Sequence, residues 1–246
     1  MNKIKKIILL ILYKIKTFLK FLSERILPDS KNDKPIYSSS FKLYKKDEME
    51  KCYNHFKGYF KKSMFMDTNE LRKFSIIRAR DNNNFNELEC YLEFGVWKGT
   101  TINLLSNYVK EIYGFDSFEG LKEDWVGAIN KPKGKFSLNK VLPKLNKNVI
   151  PIQGWIQDTL PVFLIEKKPK INFIHIDVDT YETTKFILEN TKPFLQKNAI
   201  ILFDELYNFP GWDVGEYKAL QEVFNENDYK FLAFSLEGRQ ATIQLI

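Results

Sequence analysis

The chain has 246 residues, 44% of them hydrophobic, and a formal net charge of +7. This length predicts one large α/β domain, or one medium domain with an extension, and the apolar fraction is ample for a core. Residues 1–25 hold seven basic residues and one acid, so the other 221 residues sum to only +1. Because the basic charge belongs to the N-terminus, the composition argues against a nucleic-acid-binding domain.

Residues 1–27 predict a basic amphipathic helix, because apolar residues recur at helical spacing and lysines mostly take the other side. The lysines exclude a membrane span, and the short apolar run 7–13 lacks the cleavage site of a secretory signal. The helix is typical of contact with an anionic membrane surface. Packing on its own domain, or on a second subunit of a homo-oligomer, is the alternative.

The two cysteines, Cys52 and Cys90, lack metal-ligand spacing, so we expect free thiols in a reducing compartment. The expected location is cytoplasmic, and peripheral on the inner face of the membrane if residues 1–27 bind lipid. Residues 28–40 predict a linker. Residues 41–88 predict a helical segment that covers the cofactor site, in which His55 lies among aromatic residues and is expected to be structural.

The stretch 91–116 predicts the βαβ layout that holds a nucleoside. Its expected elements are a strand, a glycine turn, a helix and a second strand at 91–94, 95–99, 100–109 and 112–115. The second strand runs into Asp116, whose carboxylate can accept ribose hydroxyls, and the glycines let the backbone approach a ligand. A buried βαβ unit with glycines for packing is the alternative.

The pattern E-x-G-x-x-x-G at 93–99 bears on which nucleoside binds. The middle glycine of the dinucleotide pattern is absent, and Trp97 would crowd a diphosphate. The carboxylate of Glu93 would repel a diphosphate but suits a cationic ammonium. S-adenosylmethionine combines an adenosine ribose with such an ammonium.

Residues 120–147 predict an exposed loop to Gly134 and then a short helix to Leu145, followed by a third strand at 148–152. Trp155 could flank an adenine or belong to the core. The aromatic loop 206–217 suits a sugar but could equally be a packed lid. A helix at 218–224 and a closing hairpin at 229–234 and 241–246 complete the expected sheet at its edge.

Carboxylates follow two predicted strands at their C-terminal ends, where ligands bind in an open α/β sheet. Strand 171–177 delivers Asp177 and Asp179, which point the same way in extended backbone. A helix through Leu195 is expected next, and strand 199–206 then delivers Asp204 and Glu205. Oxygen-only ligands indicate magnesium or another hard cation. Helix caps or surface ion pairs are the alternative for any one acid, and His175, inside its strand, is expected to be buried.

From about Tyr91 to its C-terminus the chain resembles class I S-adenosylmethionine-dependent methyltransferases. It is most similar to the macrocin O-methyltransferase family, which acts on sugar hydroxyls, in the motifs EFGVWKGTT, YGFDSFEGL, GWIQDTLP, IDVDTYETT and FDEL. The resemblance implies a methyltransferase domain at 89–246. With the alternating β/α pattern, it gives an α/β fold: a Rossmann-like, doubly wound, seven-stranded sheet with an antiparallel last strand, plus an N-terminal helical extension.

The resemblance also implies a site. Its expected cofactor-binding residues are Glu93, Gly95, Gly99, Thr100, Thr101, Asp116, Ser117, Trp155 and Asp177. Its expected magnesium ligands are Asp177, Asp204 and Glu205, and its expected catalytic residues are Asp179 and Asp177. Members of the family often have paired aspartates where this chain has Asp204 and Glu205, which changes the reach of one ligand.

The expected function is therefore methyl transfer from S-adenosylmethionine to a sugar or glycan hydroxyl, assisted by magnesium. An NAD-dependent sugar oxidoreductase shares the ribose-binding layout, and a non-catalytic membrane-associated scaffold would keep the fold and the N-terminal helix. An RNA methyltransferase would require a basic rim, which a nearly neutral domain does not offer.

The membrane expectation for residues 1–27 can be tested by deletion. A protein lacking residues 1–30 should no longer sediment with anionic vesicles, because the lysines that attract the lipid headgroups are gone. Co-sedimentation of the full-length and shortened proteins measures this, and vesicle binding by the shortened protein would contradict the expectation.

Overall fold

The computed structural model of the protein describes residues 39–82, 89–125 and 130–246. The chain divides into a unit of residues 1–43 and a second unit of residues 44–246, and the second unit contains every strand of the sheet. The expected helix at 1–27 and most of the expected linker at 28–40 lie outside the described residues, and the first described helix begins at Ser39. None of the helices in the described part of the chain is both long and apolar enough to span a bilayer.

Six helices and eight strands make up the described part of the chain. The helices are α1 (Ser39–Phe60), α2 (Thr68–Asn82), α3 (Thr100–Ser106), α4 (Ile156–Lys167), α5 (Tyr181–Thr191) and α6 (Glu216–Val223). The strands are β1 (Met64–Met66), β2 (Glu89–Phe94), β3 (Ile112–Asp116), β4 (Val149–Gln153), β5 (Lys170–Ile176), β6 (Leu195–Phe203), β7 (Tyr229–Ser235) and β8 (Ala241–Leu245). Short 3-10 turns lie at Lys192–Phe194, Trp212–Val214 and Glu226–Asp228.

All eight strands form one sheet in the order β1-β7-β8-β6-β5-β2-β3-β4. Only β8 runs antiparallel, and it pairs with β6 on one side and β7 on the other. The Rossmann-like fold and the antiparallel last strand are confirmed. The expected count of seven strands is wrong, because Met64–Met66 adds an eighth strand that pairs with β7. The hairpin of β7 and β8 therefore does not end the sheet.

Three other local expectations are corrected. The predicted short helix before Leu145 is absent, since residues 130–148 are turns and extended chain with positive φ at Phe136, Asn139 and Lys140. Left-handed backbone at three such residues interrupts any right-handed helix. The helix predicted at 100–109 ends at Ser106, and the helix predicted through Leu195 ends at Thr191, with β6 beginning at Leu195 itself.

The sheet is covered on both faces, with a separate apolar cluster on each. Alternate residues of the strands face opposite sides, so Phe94 joins one cluster while Tyr91 joins the other. Helices α1, α4, α5 and α6 pack on the first face, and α2 and α3 on the second. Since the helices lie on the faces, the C-terminal ends of the parallel strands form an open edge of the sheet, called here the rim.

Helix α1 is held to the domain by an aromatic cluster around Phe56. The Phe56 ring is fully buried and lies 5.2 Å from both Trp212 and Tyr217, measured between ring centroids. The neighbouring His55 contacts the Tyr217 hydroxyl, and burial lowers its pKa, as expected of a structural histidine. Tyr207, Phe209 and Trp212 of the aromatic loop are also buried. The loop is therefore a packed segment, and these three rings are not available to stack on a sugar.

Truncation of Phe56 should show how much this cluster contributes to stability. We expect Phe56→Ala to lower the free energy of unfolding by about 3–5 kcal/mol, since a buried ring leaves a cavity. The control is Tyr53→Ala in the same helix, where the side chain is 60% exposed and the loss should stay within about 0.5 kcal/mol. Urea unfolding measures both, and equal losses would contradict the packing described here.

Candidate active site

The turn after β2 lies directly against the end of β5. Gly95 has φ +90°, and a Cβ atom placed there would be 1.7 Å from the carbonyl oxygen of Asp177. No side chain fits in that space, so glycine is required for the turn to pass so close to β5. The turn ends at Gly99, also with positive φ, and α3 begins at Thr100.

Asp116, at the end of β3, holds this turn in place. Its Oδ2 accepts hydrogen bonds from the backbone N–H groups of Val96 (2.9 Å) and Trp97 (2.7 Å), and its Oδ1 accepts one from Phe118 (2.7 Å). A carboxylate offers about four acceptor positions, so roughly one remains for a ribose hydroxyl. The sequence predicted only the ribose role; the structure adds that Asp116 shapes the turn.

Glu93 and His175 form a fully buried pair beneath the turn. Oε2 of Glu93 lies 3.2 Å from Nδ1 of His175, and both side chains are buried. Burial lowers the pKa of His175, but its contacts with Asp204 and Glu93 outweigh burial and raise that pKa to about 10. The pair therefore holds a proton at neutral pH. Glu93 reaches His175, rather than the open position where its carboxylate was expected to meet an ammonium.

Three carboxylates converge above this pair at the rim. One oxygen from each of Asp177, Asp179 and Glu205 lies within 4.8 Å of the others. The sequence argument for Asp177 and Asp179 assumed extended backbone, but Asp179 has φ +65°. The two side chains approach each other through a left-handed residue, not through strand alternation.

The three carboxylates of this group repel one another. Burial and the charge of Asp204 raise the pKa of Asp177, of Asp179 (to about 7) and of Glu205. Oε2 of Glu205 is buried without a hydrogen-bond partner. An oxygen-only group with an unused buried acceptor and mutual repulsion fits a hard divalent cation such as Mg²⁺, which would neutralise the charge.

Asp204 belongs to a second group, with His175 and Asp177. Its Oδ1 accepts hydrogen bonds from Arg72 (3.3 Å) and from the amide of Gln240, and it lies 3.9 Å from Nε2 of His175. Burial works to raise the pKa of Asp204, but the contact with His175 and the charges of His175 and Arg72 outweigh burial and lower it. The expected metal set of Asp177, Asp204 and Glu205 is thus divided between two groups, and one oxygen of Asp204 is already occupied.

Sequence reasoning missed three residues that support the rim. Arg72 and Gln240 hold Asp204, and Glu216 accepts a hydrogen bond of 2.9 Å from the backbone N–H of Glu205. Glu216 is itself fully buried. Arg72 and Gln240 are far in sequence from Asp204, and Glu216 lies 11 residues beyond Glu205 at the start of α6, so no local pattern marks any of them.

The remaining expected cofactor residues lie at the start of α3 and after the ends of β3 and β4. Thr101 and Ser117 are buried, and the Ser117 hydroxyl accepts a hydrogen bond of 3.1 Å from the backbone of Glu119. Trp155 immediately precedes α4, with the ammonium of Lys122 5.6 Å from its ring centroid.

A family profile described as "Methyltransferase domain" matches residues 92–206, the span from β2 to the acid rim. No curated protein matches the sequence significantly.

The chain is similar to several solved structures. The calicheamicin methyltransferase CalS11 is 25% identical with a TM-score of 0.57, over 72% of this chain and 78% of that one. A second CalS11 structure, described as a TDP-rhamnose 3'-O-methyltransferase, is 23% identical with a TM-score of 0.49, over 70% and 77% of the two chains. The O-methyltransferase NovP is 19% identical with a TM-score of 0.53, over 72% and 78%.

Together with the site geometry, these comparisons decide the chemical class. Residues 92–206 match the methyltransferase-domain profile, and the protein is an S-adenosylmethionine-dependent methyltransferase. The comparisons give no support to an NAD-dependent oxidoreductase or to a non-catalytic scaffold.

The close approach at Gly95 can be tested against a second glycine with positive φ. In Gly134→Ala the new Cβ meets nothing within 4 Å, so we expect a loss of about 1–2 kcal/mol from backbone strain alone. Gly95→Ala should cost a further 1–3 kcal/mol or so, because the backbone must move to relieve the overlap. It should also weaken S-adenosylmethionine binding. Thermal unfolding and calorimetric titration measure the two effects, and equal behaviour of the two variants would contradict the geometry.

Proposed function

We propose that the protein transfers the methyl group of S-adenosylmethionine to a hydroxyl of a sugar or glycan, with Mg²⁺ held at the rim. The observation that carries the proposal is the carboxylate group of Asp177, Asp179 and Glu205, set directly against the turn at Gly95. The similarity to CalS11, which is described as acting on TDP-rhamnose, supports a sugar acceptor.

The proposed cofactor site follows the turn and the two strand ends beside it. Asp116 has acceptor capacity left for the ribose, and Trp155 and Ser117 flank the end of β3 where the adenine would lie. Thr100 and Thr101 open α3 next to Gly99, beside the methionine moiety. Glu93 supports this end of the site from beneath, through His175.

The proposed chemistry is in-line transfer in which the protein mainly positions the reacting atoms. The sulfonium of the bound cofactor supplies a good leaving group, and proximity to an oriented hydroxyl provides most of the acceleration. Asp177 and Glu205 would hold Mg²⁺, together with the oxygen of Asp204 that Arg72 and Gln240 leave open. Mg²⁺ bound there would lower the pKa of the acceptor hydroxyl and orient it. Asp179 accepts the hydroxyl proton as general base.

The partner proposed for the N-terminal residues is a membrane surface. Residues 1–27 would bring the enzyme to an anionic membrane surface, close to membrane-borne glycan assembly, with self-association of that helix as the alternative. Nucleic acid is not a proposed partner, since the charge of the chain outside residues 1–25 is only +1.

The acceptor and the roles at the rim can be tested in one assay. The purified protein is incubated with S-adenosylmethionine, Mg²⁺ and a panel of free and nucleotide-linked sugars, and methylated products are detected by mass spectrometry. Asp179→Asn should lower kcat by about 10²–10⁴-fold, the usual loss of a positioned base, with cofactor affinity unchanged. Glu205→Gln should raise the Mg²⁺ concentration needed for half-maximal activity.

The control for both variants is Glu166→Gln, an exposed acid near the end of α4, which should leave the rate unchanged. If the wild-type protein binds S-adenosylmethionine but methylates no sugar in the panel, the proposed acceptor class is wrong. If activity survives chelation of divalent ions, the magnesium proposal is wrong.

A further inference from the structure

A groove separates α2 from α3 on the second face of the sheet. Both helices begin at the rim: α3 follows the turn after β2, and the backbone N–H of Thr68 at the start of α2 donates to Glu237 beside the end of β7. The groove has a volume of about 510 Å³. That is the size of a small-molecule site, larger than a single buried water or ion needs.

The side chains that line the groove are mainly polar or positively charged. Its lining includes Asn69, Arg72 and Lys73 from α2, Thr100 and Asn103 from α3, and Asn107 directly after α3, and none of the residues that line it is acidic. Amide and hydroxyl groups can bond to polar ligands of any charge, but the two cations select for a negative one.

Lys73 lacks the counter-charge that a partly buried cation usually has. The residue is half-buried, and within the described ranges no carboxylate lies within 4 Å of its ammonium. Beside it, Nε of Arg72 is buried without a hydrogen-bond partner, although the other end of that guanidinium binds Asp204. Removing such donors from water is unfavourable unless a partner is supplied. A ligand anion in the groove would supply a partner for the Lys73 ammonium.

The groove also adjoins both parts of the active site. Thr100 is the first residue of α3 after Gly99, and Arg72 reaches Asp204 at the rim. A ligand group held between Lys73 and Arg72 is therefore close to the turn after β2 and to the acidic residues at the rim.

We propose that this groove is a carboxylate-binding subsite of the methyltransferase, with Lys73 as its principal cation. The carboxylate comes from one of two ligands: the methionine moiety of S-adenosylmethionine, or an acidic sugar that serves as the acceptor. The second source rests on the proposed function, whereas the first does not.

The first arm of the test addresses the cofactor. S-adenosylmethionine and decarboxylated S-adenosylmethionine are titrated calorimetrically into the full-length wild type, Lys73→Met and Lys73→Arg. If the cofactor supplies the carboxylate, the wild type binds S-adenosylmethionine about 10–100-fold more tightly than its decarboxylated form, the range of a hydrogen bond to a charged group. Lys73→Met removes that preference, and Lys73→Arg retains most of it.

The second arm addresses the acceptor. D-glucuronate and D-glucose are titrated into the same proteins saturated with S-adenosylhomocysteine. If the acceptor supplies the carboxylate, the wild type binds glucuronate more tightly than glucose, and Lys73→Met binds the two equally. In the first arm, Lys73→Met then keeps the wild-type preference for S-adenosylmethionine over its decarboxylated form.

The matched control is Arg78→Met, which removes an exposed cation from the same helix outside the groove. It should leave both preferences unchanged, and thermal unfolding confirms that each variant is folded. The inference is overturned if Lys73→Met alters neither preference, or if Arg78→Met alters them equally. A wild type that prefers S-adenosylmethionine to its decarboxylated form through Lys73, yet methylates no sugar, would overturn the proposed acceptor and leave the subsite supported.

Discussion

The contact between Gly95 and the carbonyl oxygen of Asp177 sets the spacing of the whole active site. The backbone N–H of Gly95 donates to Phe115 on β3, and that of Asp177 donates to Phe94 on β2, each at 2.9 Å. The turn is thereby joined to the strands on both sides of β2. Because only hydrogen fits between the turn and β5, a cofactor on the turn must lie next to the acids that follow β5.

The charges of the site are ordered by depth in the sheet. Beneath the rim, negative and positive groups alternate from Glu93 to His175 to Asp204 to Arg72, crossing β2, β5 and β6 to reach α2. Each buried charge has a neighbour of opposite sign, which is the condition under which burial is tolerated. At the rim itself, Asp177 and Asp179 have mainly each other and Glu205. The fold thus concentrates its uncompensated negative charge where a metal and a reacting hydroxyl would meet.

Sequence patterns predicted what is local or repeated along the chain. The βαβ spacing and acids at strand ends follow from chain order, because parallel strands bring their carboxyl ends to one edge. Partners such as Arg72, Gln240 and Glu216 leave no periodic signal in the sequence. The left-handed backbone at Asp179 contradicts the extended conformation that the sequence argument assumed for Asp177 and Asp179. A strand as short as Met64–Met66 has no room for an alternating pattern, so the eighth strand became visible only through its pairing with β7.

The placement of β8 between β6 and β7 has a consequence for the order of assembly. During synthesis β6 and β7 emerge before β8, and because they are not neighbours in the sheet, β7 has no native link to β6 until β8 fills the gap between them. The edge strand β1 pairs with β7 and must wait as well. Gln240, which binds Asp204, directly precedes β8. On the ribosome, the acidic site therefore lacks one of its supporting contacts until this segment has emerged.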